Sequence, residues 1–370
     1  MTFVTGGGRV FAAALIALGI VASWSAPAAA ADEIRGKQWH LSALRVGDAH
    51  QITQGDGLTV AVIDSGVARH QDLTNAVLAG GDLVNPDGGD GRSDSSGHGT
   101  SMAGVIVGRG HGADNGVLGL APAAKILPIR IATNSFNSSK QLADAISMAV
   151  ARGARVINMS IGGGDDEPIR AAIRAAQAAD VVLVAASGNR GDYGDNYPGK
   201  YPEVLTVGAV DRSGKVADFS VTGPQVDLVA PGVDIVTTGN TETGYVRGKG
   251  TSHATAVVSG AAALIRARFP EMSAAEVVHR LTATAVDAGA EGRDDVYGYG
   301  RLDLMAALTA EVPPAPPTVV PSASTQPVQV EAGGGRTPVK RVSPLVIAGG
   351  AALVVLLIGG GVVALLVRRR

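Results

Sequence analysis

Val246-Arg-Gly-Lys-Gly-Thr-Ser252-His-Ala-Thr-Ala-Val-Val-Ser-Gly260 places a glycine-flanked serine at the start of an apolar, alanine-rich segment that continues to Phe269. This pattern predicts a helix over 252–268 with Ser252 in its first turn. Free backbone N–H groups and the positive end of the helix dipole favour a developing negative charge there. Serines are also common as simple helix caps. Because a serine hydroxyl is a weak nucleophile without a base beside it, the rest of the chain must supply that base.

Short apolar runs alternate with helical patterns through the middle of the chain, and this alternation predicts the fold class. Strands buried on both faces read as continuous apolar runs, and intervening helices imply parallel crossovers. We therefore predict an α/β doubly wound domain with a mostly parallel sheet and helices on both faces. Functional sites in such domains gather at the carboxyl ends of the strands. The predicted strands are 58–63, 125–131, 155–161, 181–186, 204–210 and 226–229. The predicted helices are 98–107, 138–152, 165–179, 252–268 and 273–285.

Composition limits the classes of function that fit this chain. Apolar residues make up 46% of the 370 residues, which is enough for a substantial core. The formal net charge of −2 does not favour a nucleic-acid partner, which would require a basic face. The absence of cysteine excludes disulfides and thiolate metal sites. The compartment must therefore be inferred from targeting segments.

The N-terminal segment has the pattern of a secretory signal peptide. Arg9 precedes an apolar run over 10–22, and small residues follow up to Ala31. This pattern predicts a signal peptide over 1–31, with cleavage after Ala30 or Ala31. The alternative is an uncleaved N-terminal anchor, although the apolar run is short for a membrane span. An N-terminal extension over 32–57 then precedes the catalytic domain predicted over 58–311.

The C-terminal segment predicts a membrane anchor. Residues 312–343 are rich in proline and glycine and predict an extended stalk. Residues 344–367 contain no charged side chain and are long enough to span a bilayer. Three arginines at 368–370 form a short basic tail. Since a signal peptide would export the preceding chain, we expect a single-pass protein of the cell membrane with an extracytoplasmic domain and a cytosolic tail.

Two candidate residues to activate Ser252 lie at element ends. Asp64 closes the first apolar strand and precedes Ser65-Gly66, a sequence that is also typical of a turn. His98 lies between two glycines at the start of an apolar helix, which indicates that another group approaches the ring closely. Of the other histidines, we expect His40 and four more to lie at the surface. These four are His50, His70, His111 and His279.

Asn189 is the candidate for stabilising an oxyanion. It follows the strand at 181–186 in the segment Ala185-Ala-Ser-Gly-Asn189, which is also compatible with a simple turn. Preorganised amide donors are among the larger contributions to acyl-transfer catalysis. Together the chain supplies an acid, a base, a nucleophile and an oxyanion donor.

Three segments carry a resemblance to the subtilase family of serine proteases. They are Val60-Ala-Val-Ile-Asp64-Ser-Gly, Gly97-His98-Gly-Thr-Ser-Met-Ala-Gly and Gly250-Thr-Ser252-His-Ala-Thr. The chain order Asp, His, Ser is that of the subtilisin type. The resemblance covers residues 36–310. It implies that Asp64 orients His98, that His98 activates Ser252, and that Asn189 and the Ser252 backbone N–H hold the oxyanion.

The same resemblance implies where a substrate lies. The segment Ser160, Ile161, Gly162 and Gly163 would form an extended wall of the cleft. A polypeptide substrate would pair with it as an added strand. The expected activity is peptide-bond hydrolysis through an acyl-enzyme by a serine endopeptidase that requires no cofactor.

The signal peptide, proline-rich stalk, single membrane span and basic tail together resemble the mycosins. These are membrane-anchored subtilases associated with type VII secretion in actinobacteria. That resemblance implies association with a secretion membrane complex, and an N-terminal extension wrapped around the body instead of a cleaved inhibitor. Two alternatives remain: a structural subunit that braces a secretion complex, and a general cell-surface protease.

The chain departs from the family pattern at several positions. His253 replaces a residue that is usually apolar or small, and we expect it either to line the cleft or to compete for a proton. Cysteine is absent, although many mycosins contain disulfides. The segment His70-Gln-Asp72-Leu73 resembles one in which some subtilases bind calcium through the aspartate. A calcium site needs six to eight oxygen ligands, so a structural calcium ion is a lesser expectation, and we predict no catalytic metal.

Overall fold

The computed structural model of the chain describes residues 1–2, 33–85, 87–112, 114–132, 138–192 and 195–314. The predicted membrane helix and basic tail lie outside these residues, as do nearly all of the signal peptide and of the stalk. Within the described ranges, no helix is both long and apolar enough to cross a membrane.

Parallel strands and flanking helices make up most of the described chain. The strands are β1 (Thr59–Asp64), β2 (Gly81–Asp82), β3 (Arg109–His111), β4 (Asn115–Leu118), β5 (Lys125–Arg130), β6 (Val156–Met159), β7 (Val182–Ala186), β8 (Leu205–Val210), β9 (Leu228–Pro231), β10 (Ile235–Thr238) and β11 (Tyr245–Gly248). The helices are α1 (Glu33–Lys37), α2 (Trp39–Ala43), α3 (Val46–Ile52), α4 (His98–Val107), α5 (Ser139–Ala151), α6 (Glu167–Ala178), α7 (Thr251–Arg268), α8 (Ala274–Ala283) and α9 (Leu304–Thr309).

A seven-stranded sheet in the order β2-β5-β1-β6-β7-β8-β9 forms the centre of the fold. Each neighbouring pair in this sheet is parallel. The six predicted strands and five predicted helices are confirmed to within two residues at each end. The prediction of an α/β fold with a mostly parallel sheet is therefore confirmed.

The two faces of the sheet bury separate sets of side chains. In β1, Val60 and Val62 contribute to one core cluster, whereas Ala61 and Ile63 contribute to the other. This alternation follows from the two-residue period of a strand. Helices α4, α7, α8 and α9 pack into the first cluster. Helices α5 and α6 pack into the second. Helix α7 is buried nearly all round, as an apolar helix in the centre of a domain should be.

The N-terminal extension from Glu33 onward packs against the body of the domain. Trp39 and Val46 are buried in the same core cluster as α7. The indole N–H of Trp39 donates to the carbonyl of Val233 at 3.0 Å. The side chain of Gln38 donates to the carbonyl of Val236 at 3.3 Å. Their partners lie 194 and 198 positions further along the chain, so these bonds fasten the extension to the centre of the domain.

An antiparallel hairpin of β10 and β11 leads into α7, and the sequence patterns did not predict it. Strand β11 is short and only half-buried, so it lacks the continuous apolar run of a central strand. The hairpin nevertheless supports α4. The hydroxyls of Thr237 and Thr238 donate to the carbonyls of Ser101 and Thr100, at 2.9 and 2.6 Å.

Candidate active site

The candidate residues lie at the carboxyl-end edge of the sheet. Asp64 is the last residue of β1, and Ser160 directly follows β6. Asn189 lies three residues after β7. His98 is the first residue of α4, and Ser252 is the second residue of α7. The prediction that Ser252 lies in the first turn of a helix is therefore confirmed.

Asp64 and His98 form a close acid–imidazole pair. Nδ1 of His98 lies 2.9 Å from each carboxylate oxygen of Asp64. The Asp64 side chain is 3% exposed, and its Oδ1 also accepts a hydrogen bond from the backbone N–H of Ser65 at 2.7 Å. These donors compensate for burying a carboxylate. The negative charge of Asp64 raises the pKa of His98 above 6.5, although burial of the ring opposes this shift.

The glycines beside His98 let the first turn of α4 approach β1. A side chain at Gly99 would collide with the carbonyl oxygen of Gly66 and lie 3.1 Å from Cβ of Asp64. On the other side, Gly97 has φ 82° and lies against the side chain of Asn240. The close approach expected from these glycines is therefore present, and it places the His98 ring on Asp64.

Asp94 holds the loop that precedes His98. Its side chain is buried, and its Oδ1 accepts from the backbone N–H of Gly97 at 2.8 Å. Its Oδ2 accepts from the backbone N–H and the hydroxyl of Thr100, at 2.9 and 2.6 Å. One carboxylate thus satisfies N–H groups on both sides of His98 and fixes the start of α4.

Ser252 and Ser160 lie side by side and exchange hydrogen bonds. Within the described chain, the acceptor of the Ser252 hydroxyl is the carbonyl of Ser160, at 3.4 Å, rather than Nε2 of His98. Hydrogen bonds between catalytic groups are often long or absent before substrate binds. The described hydrogen bonds of the Ser252 hydroxyl therefore do not include one to His98.

The carboxamide of Asn189 lies beside the residue preceding Ser252. Its Oδ1 accepts from the backbone N–H and the hydroxyl of Thr251, at 3.0 and 3.2 Å. Its Nδ2 donates to Oδ2 of Asp192 at 2.8 Å. The amide oxygen is therefore turned toward α7, so the amide N–H groups point away from Thr251.

The predicted cleft wall continues from β6 through Ser160, Ile161, Gly162 and Gly163. Gly163 exchanges backbone hydrogen bonds with Tyr197, at 2.7 and 3.1 Å, and this contact joins the wall to the loop after Asn189. The side chain of Asn196, the residue before Tyr197, lies against Gly188, the residue before Asn189. The structure thus brings the predicted wall and the predicted oxyanion donor to one edge of the sheet.

His253 points into the domain. It is 6% exposed, and its Nε2 lies 3.3 Å from the hydroxyl of Ser101. Burial, with a smaller contribution from the nearby His98 and His40 rings, lowers its pKa to about 3. The ring is therefore neutral at ordinary pH, so the expectation that it competes for a proton is wrong.

The prediction of a surface position for His40 is also wrong. His40 is fully buried in α2, and burial lowers its pKa to about 4. Its ring lies near that of His253 in α7, far along the chain, so the local sequence does not show this burial.

Asp72 is buried and its carboxylate is already bonded to protein groups. Its Oδ1 lies 2.6 Å from Nδ1 of His111, and its Oδ2 accepts from the backbone N–H of Val117 at 2.7 Å. Among the residues that the structure describes, no cluster of three or more His, Asp or Glu side chains could hold a metal ion. These contacts do not favour calcium at Asp72, and a structural calcium ion stays a prediction.

The sequence patterns missed three residues around the site: Asp94, Thr251 and Asp192. Each contacts a predicted residue or its loop through hydrogen bonds. The available signal was local, since Asp94 and Asp192 lie three or four residues from His98 and Asn189. Aspartate in a glycine-rich loop is equally typical of a plain turn.

A parallel α/β sheet with Asp, His and Ser at its element ends is the arrangement expected of a serine hydrolase of the subtilisin type. The sequence profile of the subtilase family matches residues 55–300. The chain therefore belongs to the subtilase family, and it is a serine endopeptidase.

Comparison with individual relatives agrees with this assignment. The chain is 36% identical to mycosin-1 of Mycobacterium tuberculosis over 84% of its own length and 82% of that protein. It is 37% identical to subtilisin DY of Bacillus licheniformis over 69% and 92% of the two chains. A solved structure described as the serine protease MycP1, an essential component of the type VII (ESX-1) secretion system, superposes with a TM-score of 0.65. That structure is 34% identical and covers 74% of this chain and 88% of its own.

Proposed function

We propose that Ser252 is the nucleophile, that His98 is its general base, and that Asp64 orients and stabilises the His98 imidazolium. The observation that carries this proposal is the Asp64–His98 pair, with Nδ1 at 2.9 Å from both carboxylate oxygens. With Nδ1 engaged in this way, Nε2 of His98 is the nitrogen that remains to accept a proton from Ser252. The raised pKa of His98 makes it the stronger base.

The reaction then follows the acyl-enzyme path. Ser252 Oγ attacks the peptide carbonyl and its proton passes to Nε2 of His98. Asn189 Nδ2 and the Ser252 backbone N–H stabilise the oxyanion. His98 gives its proton to the leaving amine, and water then hydrolyses the acyl-enzyme. A polypeptide substrate lies extended along Ser160–Gly163, and the chemistry needs no cofactor.

The test uses a labelled fluorophosphonate and a fluorogenic peptide with the full-length protein in detergent. Wild-type protein should be labelled and should cleave the peptide. Ser252→Ala should lose labelling and about 10⁶-fold in kcat, by the figure for removal of a triad serine in a related enzyme.

The control for this test is Ser147→Ala. Ser147 lies on the exposed side of α5, so its removal should leave both signals unchanged. Peptide cleavage that persists in Ser252→Ala at the wild-type rate would disprove the assignment of the nucleophile.

We also propose that the protease is anchored in the cell membrane by residues 344–367, with the catalytic domain outside and the basic tail in the cytosol. The supporting observations are the uncharged length of that segment and the pattern of a signal peptide over 1–31. The protein should stay in the membrane fraction after carbonate washing, and truncation after residue 343 should release it. Recovery of the intact protein in the soluble fraction would contradict the anchor.

The cellular role that we propose is in type VII secretion. The support is the similarity to mycosin-1 and to the MycP1 structure. A general cell-surface protease is the alternative with the same chemistry. A secretion-linked enzyme should leave unfolded casein largely intact, whereas a general protease should degrade it.

A structural role in the secretion complex is the second candidate, because MycP1 is described as an essential component of its system. Comparison of a deletion strain with a Ser252→Ala strain separates the two roles. Secretion that is lost in the deletion and kept in Ser252→Ala would indicate a structural role.

A further inference from the structure

The loop after β7 forms a tight turn at Asn189. The backbone N–H of Asp192 donates to the carbonyl of Asn189 at 3.0 Å, which closes a four-residue turn. Gly191, the third residue, has φ 96°, a conformation that glycine adopts without strain. Closure of the turn brings its first and fourth residues, Asn189 and Asp192, next to each other.

Both ends of the Asn189 carboxamide are held by hydrogen bonds. Thr251 donates to its oxygen, and the Asp192 carboxylate accepts from its nitrogen at 2.8 Å. A flipped amide would bring Oδ1 against the Asp192 carboxylate and Nδ2 against the Thr251 donors. Either contact is unfavourable, so the two partners together select one orientation.

An amide nitrogen carries two hydrogens. One of them is donated to Asp192. The second has no acceptor among the residues that the structure describes, and we assign it to the substrate. The hydrogen bond to Asp192 is charge-assisted, and such bonds are roughly twice as strong as neutral ones. It is therefore suited to hold the amide while a tetrahedral intermediate forms.

We propose that Asp192 is a positioning residue for the oxyanion donor, acting through Asn189. This inference rests on the proposed function, in which Asn189 stabilises the oxyanion. Asp192 does not touch the substrate; it fixes the plane of the Asn189 amide so that one N–H points at the reacting carbonyl. Without Asp192, the described hydrogen bonds of the amide are those from Thr251 to its oxygen, and its nitrogen has no acceptor among the described residues.

The charge of Asp192 opposes this benefit only weakly. A carboxylate near a developing oxyanion repels it, but the Asp192 residue is exposed and water screens the interaction. The hydrogen bond acts directly on Asn189, whereas the repulsion acts through solvent. We expect positioning of the amide to outweigh this screened repulsion, and the kcat of Asp192→Ala decides between the two effects.

The experiment measures kcat and KM for Asp192→Ala and Asp192→Asn in the full-length protein. Asp192→Ala should lower kcat about tenfold with little change in KM, because oxyanion donors act mainly in the transition state. Asp192→Asn keeps an acceptor oxygen and should recover most of this loss. Asp195→Ala is the charge-matched control, since Asp195 is an exposed carboxylate of the same loop; it should leave kcat within about twofold of wild type.

A double-mutant cycle with Asn189→Ala tests whether Asp192 acts through Asn189. In the Asn189→Ala background, Asp192→Ala should have no further effect on kcat. An equal fall in both backgrounds, or no fall in the wild-type background, overturns the inference. Since Asp192→Ala also alters a turn, the melting temperature of each variant is measured; rescue by Asp192→Asn decides the question if the alanine variant unfolds.

The outcomes also separate this inference from the proposed function. Wild-type protein that reacts with fluorophosphonate while Asp192→Ala matches it in kcat overturns the role of Asp192 alone. Wild-type protein that neither reacts nor cleaves peptide overturns both.

Discussion

Ser160 and Ser252 exchange hydrogen bonds across the junction of β6 and α7. The hydroxyl of Ser160 donates to the carbonyl of Ser252 at 3.1 Å, and the hydroxyl of Ser252 donates to the carbonyl of Ser160 at 3.4 Å. The Ser160 hydroxyl also accepts from the buried Asn158 at 3.0 Å. Ser252 is thus joined to the end of β6 through a chain of hydrogen bonds that leads to the buried Asn158.

Ser160→Ala should therefore cost stability more than activity. The change leaves Nδ2 of Asn158 without its acceptor, and an unpaired buried donor costs about 1–3 kcal/mol. Because Ser160 contributes no proton to the reaction, kcat should fall less than tenfold. Urea unfolding and peptide kinetics measure the two effects, with Ser147→Ala as the exposed control. A loss of activity as complete as that of Ser252→Ala, in a folded protein, would show that Ser160 takes part in the chemistry.

The pH dependence of activity should report His98. Its pKa is raised above 6.5 by the negative charge of Asp64, and only the neutral ring accepts the proton of Ser252. The ratio kcat/KM should therefore rise with pH through an apparent pKa above 6.5. Asp64→Asn removes the charge, so the rise of the residual activity with pH should move to lower pH. In this variant kcat should be reduced about 10⁴-fold, as in other serine proteases. If kcat/KM rises at the same pH in Asp64→Asn as in the wild type, a group other than His98 controls the pH dependence.

The same pair has the opposite effect on stability. A raised folded-state pKa means that the protonated His98 stabilises the folded chain below pH 6.5, and this contribution is lost as pH rises through the folded-state pKa. The protein should thus become more active and slightly less stable over one pH range. Urea unfolding midpoints of the wild type and of Asp64→Asn, measured across that pH range, test this. The fall in stability with rising pH should be absent in the variant.

Acid should destabilise the domain through His40 and His253. Their pKa values are lowered from 6.5 to about 4 and about 3 in the folded protein. As pH falls, these histidines are protonated in the unfolded chain before they are protonated in the folded one. Their contribution to stability is therefore fully present above pH 6.5 and is lost as pH falls toward 4 and then 3. In His40→Leu, the drop in unfolding free energy between pH 7 and pH 4.5 should be smaller by about 2 kcal/mol.

His40→Leu should not weaken the protein at pH 7. Neither ring nitrogen of His40 has a hydrogen-bond partner among the described residues, so the substitution removes two unpaired buried polar atoms. His279→Leu is the control, because its ring is bonded to the carbonyl of Pro313 near the surface. An unchanged acid response in His40→Leu would contradict the buried neutral state of His40.

Asp180 should contribute to stability through the buried guanidinium of Arg266. The Arg266 side chain is 2% exposed, and it donates to the carboxylate and the carbonyl of Asp180. Asp180→Asn keeps a residue that tolerates the positive φ of this position but leaves the buried cation without its countercharge. Because the Asp180 side chain is 39% exposed, water screens part of this interaction, and we expect a loss of about 1–2 kcal/mol with KM unchanged.

The matched control for Asp180→Asn is Asp165→Asn. Asp165 pairs with Arg170 on the exposed side of α6, where ion pairs contribute less than about 1 kcal/mol. Equal losses in the two variants would mean that burial of Arg266 does not set the strength of its pair.

The sequence predicts the sheet and its main helices well because their signals are local. Strand β7 is a continuous apolar run, and α7 is a long alanine-rich segment, so each could be recognised alone. Asp64, His98 and Asn189 lie at element ends, and a parallel sheet brings such ends to one edge. Their proximity therefore follows from topology.

The missed features have several causes. Strand β11 is half-buried and four residues long, so its pattern does not differ from that of a loop. His40 lies near His253, far along the chain, and no local sequence window contains both residues. The acceptor of the Ser252 hydroxyl depends on a side-chain rotation, and a sequence does not specify that.

The contact between Gln38 and Val236 joins residues that are 198 positions apart. The same side chain also donates to the carbonyl of Leu118 in β4 and accepts from its backbone N–H, both at 2.9 Å. One glutamine therefore joins two segments that lie far apart in sequence to the N-terminal extension. Its full set of hydrogen bonds exists only when both segments are in place, so docking of the extension is complete only in the assembled domain.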